Sequence, residues 1–143
     1  MTSADPAVSV CFAVSIDKNE LGLFTSCEGL GMEVVLETRE EGGNNGFVWQ
    51  LPTRIKYPNI KLSRPIGADS AKLARWVAGM VNGVTPTTGV ISAMSWDDQI
   101  VAQWSLAGVI PVRWTGPTLN YDTNKAAMET LEIAHHGLTI EAV

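Results

Sequence analysis

QLPTRIKYPNIKLSR, residues 50–64, is the stretch whose reading decides the fold. Ile55 and Tyr57 occupy odd positions, whereas Ile60 and Leu62 occupy even ones, so the alternation slips by one residue at Pro58-Asn59. Side chains of a strand point to alternate faces, and an uncorrected slip would turn half of it inside out. The reading is therefore a strand over 54–63 with a β-bulge or kink at Pro58-Asn59 that restores one apolar face. Upstream lies TSCEGLGMEVVLETREEGG, residues 25–43. Gly29 and Gly31 bracket a bend, after which Met32, Val34 and Leu36 alternate with Glu33, Val35 and Glu37. Strand parity places Met32, Val34, Leu36, Ile60 and Leu62 inside the subunit, and Glu33, Glu37, Lys56, Lys61 and Ser63 on the opposite, polar side. Between the two strands EEGGNNG, residues 40–46, reads as a loop, and Trp49 follows it at the start of the second strand.

Working outward, residues 8–16 alternate Val8, Val10, Phe12, Val14 and Ile16 against smaller side chains, a strand with one buried face. A second strand follows over about 21–26. Asp69 or Ser70 is placed to cap a helix running to about Val81, with Leu73, Trp76, Val77, Met80 and Val81 at the spacing of one apolar stripe. Lys72 and Arg75 fall on the other side. Strands are predicted over 89–96, 100–106, 109–115 and 126–140, with Asp97-Asp98-Gln99 as a hairpin turn. One helix among many strands makes a β-rich α+β chain, and 143 residues suit one domain.

The hydrophobic share of 45% and charged share of 17% fit a globular protein, and no apolar run reaches the ~20 residues that span a bilayer. The first residues, MTSADPAVSV, lack the basic and apolar regions of a secretory signal, so synthesis is expected in the cytoplasm. A net charge of −5 argues against a nucleic-acid binder. Cys11 and Cys27 have neither the number nor the spacing of a metal or disulfide framework and read as small, partly buried apolar residues. Five Trp against ten Lys and Arg leave aromatic surface for partner subunits to cover.

Candidate catalytic groups read poorly. His135 and His136 are adjacent, so on a strand they face opposite ways and do not chelate one metal. Asp97-Asp98 is a turn. Glu129 and Glu132, three apart, face opposite sides of a strand. The glycines at 42–46 are followed by neither Lys-Ser/Thr nor a helix, which excludes a phosphate loop. No catalytic residue, cofactor or metal is expected. A β-rich binding module for a peptide or sugar is the competing class.

Three segments together carry a resemblance. Gly29-Leu30…Glu33 with Arg39-Glu40-Glu41-Gly42-Gly43, then Leu51-Pro52…Arg64, then Glu129 to Leu138 resemble, in order, the motifs of the inner tail-tube family of contractile phages and extracellular contractile injection systems. The resemblance runs from about Phe12 to Leu138. It implies two packed antiparallel sheets, sandwich- or barrel-like, with a flanking helix. Six copies would form a ring around a central β-barrel, and rings would stack into a tube inside a contractile sheath. Implied partners are further copies of the chain, the sheath protein, baseplate, spike and tube-terminating proteins, and protein cargo in the channel. The implied place of action is a phage tail-like particle, inside the cell or released from it, with no membrane insertion by this chain. The injection device is favoured here over the phage tail. The resemblance also places Arg39, Glu40, Glu41, Gly42, Gly43, Asn44, Asn45 and Trp49 at contacts between subunits. It adds His136, which stands where the family pattern has Glu. Glu33, Glu37, Lys56, Lys61 and Ser63 then become candidates for the channel wall.

Overall fold

The computed structural model describes residues 11–39, 49–117 and 127–141. Four strands come first among the described residues: β1 (Cys11–Ile16), β2 (Asn19–Phe24), β3 (Ser26–Glu28) and β4 (Glu33–Arg39). β5 (Trp49–Lys56) and β6 (Ile60–Pro65) lead to the helix α1 (Ser70–Ala78), which a 3₁₀ turn extends over Gly79–Asn82. β7 (Thr87–Met94), β8 (Ile100–Thr115), β9 (Met128–Ala134) and β10 (Gly137–Glu141) complete it.

All pairing is antiparallel, along the path β2-β1-β7-β8-β9-β6-β3, with β10 also on β8. β8 belongs to two layers. Its first part, to Val109, pairs with β7, and Ile110–Thr115 pairs with β9. The change falls at Gly108, whose φ of +67° favours glycine and where a Cβ would lie 2.8 Å from the His136 ring. The segments expected as 100–106 and 109–115 are thus one bent strand. The segment expected as 126–140 is two, split by a turn at His135-His136.

The layers enclose Val14, Ile16, Leu21, Phe24 and Ile91 from one side and Ile60, Leu62, Leu131 and Ile133 from the other. In β1, β6 and β9 these are like-parity positions, as period-two patterning requires, whereas in β2 Leu21 and Phe24 have opposite parity and the pairing with β1 shifts register past Leu21. Leu73 brings α1 onto this core, with Trp76 and Val77 half-buried beside it. Cys11 and Cys27 are free and half-buried.

Two expectations are corrected. The stretch 54–63 is not one bulged strand, because the chain leaves strand pairing at Tyr57–Asn59 and β5 and β6 lie in different sheets. And Met32, Val34 and Leu36 are not inside the subunit. β4 and β5 form a separate two-stranded sheet on which all three are about half exposed.

Candidate assembly surfaces

The β4–β5 hairpin has two unlike faces. Its register sets Val34 opposite Ile55 and Leu36 opposite Pro52, and parity adds Met32 to that face. The other face sets Glu33 opposite Lys56, Val35 opposite Arg54 and Glu37 opposite Leu51. The strands shift register between Val35 and Leu36, where the Thr53 hydroxyl donates to the Val35 carbonyl at 2.8 Å. Met32, Val34, Leu36 and Ile55 are 53%, 49%, 50% and 52% exposed. An isolated two-stranded ribbon is marginal in water. Covering the remaining surface of these four side chains is worth roughly 1 kcal/mol each at the usual burial coefficient.

Where the hairpin leaves the second sheet, the layer of β3, β6, β9 and Ile110–Thr115 of β8, the two chain segments leading to it pass very close. Gly29 has φ +95°, and a Cβ there would collide with the Asn59 carbonyl oxygen. The Asn59 side chain in turn donates to Glu132 at 2.8 Å. The Gly29 bend and the Pro58-Asn59 kink are therefore two sides of one junction.

Beyond the junction, the outward face of the second sheet is polar and mixed in charge. Lys61 and Arg113 both lie across from Glu132 on the flanking strands, and the hydroxyls of Ser63 and Thr130 are 3.2 Å apart. This sheet also has pairing capacity at its edges. β3 ends the strand path, and among the described residues Ile110–Thr115 of β8 pairs only with β9.

The inward face of the same sheet holds a buried charge cluster. Arg64 continues the parity of Ile60 and Leu62, and Glu129 that of Leu131 and Ile133, yet both are buried, at 5% and 0% exposure. Arg64 Nε donates to Glu129 at 2.9 Å, Ser70 Oγ at 2.6 Å and Trp114 Nε1 at 2.9 Å. The rest of the guanidinium donates to the carbonyls of Leu21 and Asp69 and stacks on Phe24, 4.3 Å from the ring centre. Gly22 makes room, because a Cβ there would lie 2.7 Å from Arg64 Nη1. Burial pushes the Glu129 carboxyl up, but the donated hydrogen bonds of Ser70, Trp114 and Arg64 and the Arg64 charge together hold it below its ordinary value. The cluster ties the start of α1 to β2, β6, β8 and β9. Sequence reasoning missed it, although a charge at a core-parity position in each strand was the signal.

Other sequence candidates fall as follows. Glu33, Glu37, Lys56 and Lys61 are exposed and Ser63 is half-buried. Arg39 pairs in register with Trp49, which is exposed at the start of β5. Glu40, Glu41, Gly42, Gly43, Asn44 and Asn45 lie outside the described residues. His136 is exposed and lies against Gly108, while His135 is buried, tilted against Tyr57, with Nδ1 3.1 Å from the Gly137 carbonyl. Desolvation lowers the His135 pKa. Burial pushes the Cys27 thiol up to about 11, with Glu28 adding to the effect, so it stays protonated. Among the described residues no group of His, Cys, Asp and Glu is placed to hold a metal, and no helix is long and apolar enough to cross a membrane.

Residues 8–139 match the model of the T4-like virus tail tube protein gp19 family. The chain belongs to that family. As a tail tube protein it is a structural subunit. No curated protein matches the sequence significantly. Solved structures place the fold among tube proteins. The sheath-tube complex of an extracellular contractile injection system (PVC, extended state) matches with a TM-score of 0.81 and 20% identity, over 99% of this chain and 95% of that one. The tube-terminating cap of the anti-feeding prophage matches with 0.80 and 20%, over 100% and 95%. Hcp1 from Flavobacterium johnsoniae is a more distant likeness, 0.55 and 12%, over 91% and 94%.

Proposed function

We propose that this tail tube protein builds the inner tube of an extracellular contractile injection system, as rings of six stacked around a cargo channel inside a sheath. The observation that carries the reading is the β4–β5 hairpin, a ribbon with one apolar and one charged face that its own chain leaves half exposed. Six-fold closure supplies what the hairpin and the second sheet lack. The open edge at β3 meets the Ile110–Thr115 edge of the next copy, so these two edges are no longer free to aggregate. The apolar hairpin face of Met32, Val34, Leu36 and Ile55 then packs on that neighbour. The outward face of the second sheet, with Lys61, Ser63, Arg113, Thr130 and Glu132, lines the channel together with Glu33, Glu37 and Lys56. A wall of mixed charge and hydroxyls stays wetted and does not grip what passes. The role is mechanical and non-catalytic, with sheath, baseplate and tube-terminating proteins as partners, in a particle that acts after release from the cell. Arg39, residues 40–45, Trp49 and His136 remain proposed subunit contacts.

Negative-stain images of the purified protein test this. Six-membered rings or tubes are expected, and Val34→Asp with Leu36→Asp is expected to leave a folded monomer that forms neither. A parent protein that stays monomeric across salt and concentration overturns the proposal. Sheath and baseplate genes beside an AAA+ ATPase gene mark an injection system, whereas capsid and terminase genes mark a phage tail.

A further inference from the structure

The outward face of the second sheet is ordered in two rows that run across its four strands. Glu28 of β3 lies opposite Lys61 of β6, Lys61 opposite Glu132 of β9, and Glu132 opposite Arg113 of β8. That row alternates acid, base, acid, base. Two residues along each strand, Ser26, Ser63, Thr130 and Thr115 form a second row in the same strand order, all of them hydroxyls. Cys27 and Trp114, between the rows, turn inward and pack against the core, which puts Glu28 and Arg113 on the outward side. Both are exposed.

The rows end in unlike charges at the two open edges of the sheet. Among the described residues β3 pairs only with β6, and Ile110–Thr115 of β8 only with β9. One edge therefore presents the acid Glu28 and the other the base Arg113. Three antiparallel pairings in succession make β3 run opposite to β8. Rotation about a ring axis preserves both strand direction and face, so β3 of one copy continues the sheet from β8 of the next as an antiparallel neighbour. In register, Glu28 meets Arg113 while Ser26 meets Thr115, and both rows pass unbroken into the next copy. Barrel closure also staggers strands, and parity restricts the stagger to even steps. A step of two in either direction leaves Glu28 diagonal to Arg113, still within reach of a long side chain.

We propose that an ion pair between Glu28 of one copy and Arg113 of the next forms at each junction of the ring and makes an edge accept only its unlike counterpart; this rests on the tube reading above. Pairing β3 with β3 brings acid to acid, and pairing β8 with β8 brings base to base, so two-fold dimers are disfavoured. The favoured contact is heterologous and propagates until the ring closes.

Sedimentation velocity and negative-stain imaging of the full chain test the proposal, with a thermal melt of each variant as the folding control. Glu28→Lys and Arg113→Glu each put like charges at every junction. Each is expected to raise the protein concentration at which rings form by about tenfold or more. An equal mixture of the two is expected to recover rings at the parent's concentration. When the two variants alternate around a six-membered ring, one junction joins the introduced lysine to the introduced glutamate, and the following junction joins Glu28 to Arg113. Glu28→Gln and Arg113→Gln add no repulsion within the sheet and are expected to raise the ring-forming concentration roughly threefold. Charge variants that form rings as readily as the parent overturn this inference and leave the tube reading standing. A mixture that recovers no rings while both variants stay folded also overturns it. If either charge variant unfolds, the glutamine variants decide, and unchanged ring formation in both overturns it. A parent that forms no rings overturns both readings.

Discussion

Glu129→Ala removes the acceptor that joins three side chains from three elements. The carboxylate is fully buried and takes hydrogen bonds from Arg64 at 2.9 Å, Ser70 at 2.6 Å and Trp114 at 2.9 Å. Its loss leaves the nearly buried Arg64 charge uncompensated, and breaking a buried pair in this way costs about 3–5 kcal/mol. A domain of this size is stable by about 5–15 kcal/mol, so the cost is a large share of the total. At about 2–4 °C per kcal/mol the melting temperature should fall by roughly 6–20 °C. Arg64→Met with Glu129→Leu should be less destabilised than Glu129→Ala alone, because no unpaired charge stays inside. Circular dichroism melts read the stability, and tryptophan emission reports the freed Trp114 indole. Acid supplies an independent arm. The folded carboxyl lies below its ordinary value of 4.5, so the stabilisation is complete above that pH and is lost as pH falls through the folded value. Glu129→Gln should lack this acid-dependent component. A Glu129→Ala melt within about 2 °C of the parent, less than 1 kcal/mol, would refute the reasoning.

Val34→Asp with Leu36→Asp should shift monomer stability by only about 0.5 kcal/mol per site, as exposed positions do, while abolishing rings; a urea melt showing an unfolded monomer would restore these residues to the core. Gly29→Ala places a methyl against the Asn59 carbonyl at positive φ, and should cost about 1–3 kcal/mol or more in the same assay. Trp76 is half-buried rather than enclosed, so Trp76→Ala should cost less than the 3–5 kcal/mol of a fully buried aromatic, about 1–3 kcal/mol. An unchanged melting point would mean that the apolar stripe of α1 does not face the core.

The sequence by itself determined which side chains share a face. Period-two parity grouped Val14 with Ile16 and Ile60 with Leu62, and the helical stripe included Leu73; all five are buried. The motifs that carried the family resemblance also contain the pieces of the site, with Gly29, Arg64 and Glu129 each at a motif position. Parity does not say what covers a face. Met32, Val34 and Leu36 alternate as cleanly as any core strand, yet they lie on a ribbon whose apolar side its own chain leaves half exposed, because local periodicity is the same whether the covering surface belongs to one chain or to two. The odd-to-even slip at Pro58-Asn59 is equally consistent with a bulge and with a break, and only the pairing partners of β5 and β6 separate them. The meeting of Arg64 with Glu129 depends on β6 lying beside β9 with those two residues in register. That register is set by strand packing over a long sequence separation, so it is decided by tertiary structure, which brings a charge on each core face together as a bonded pair.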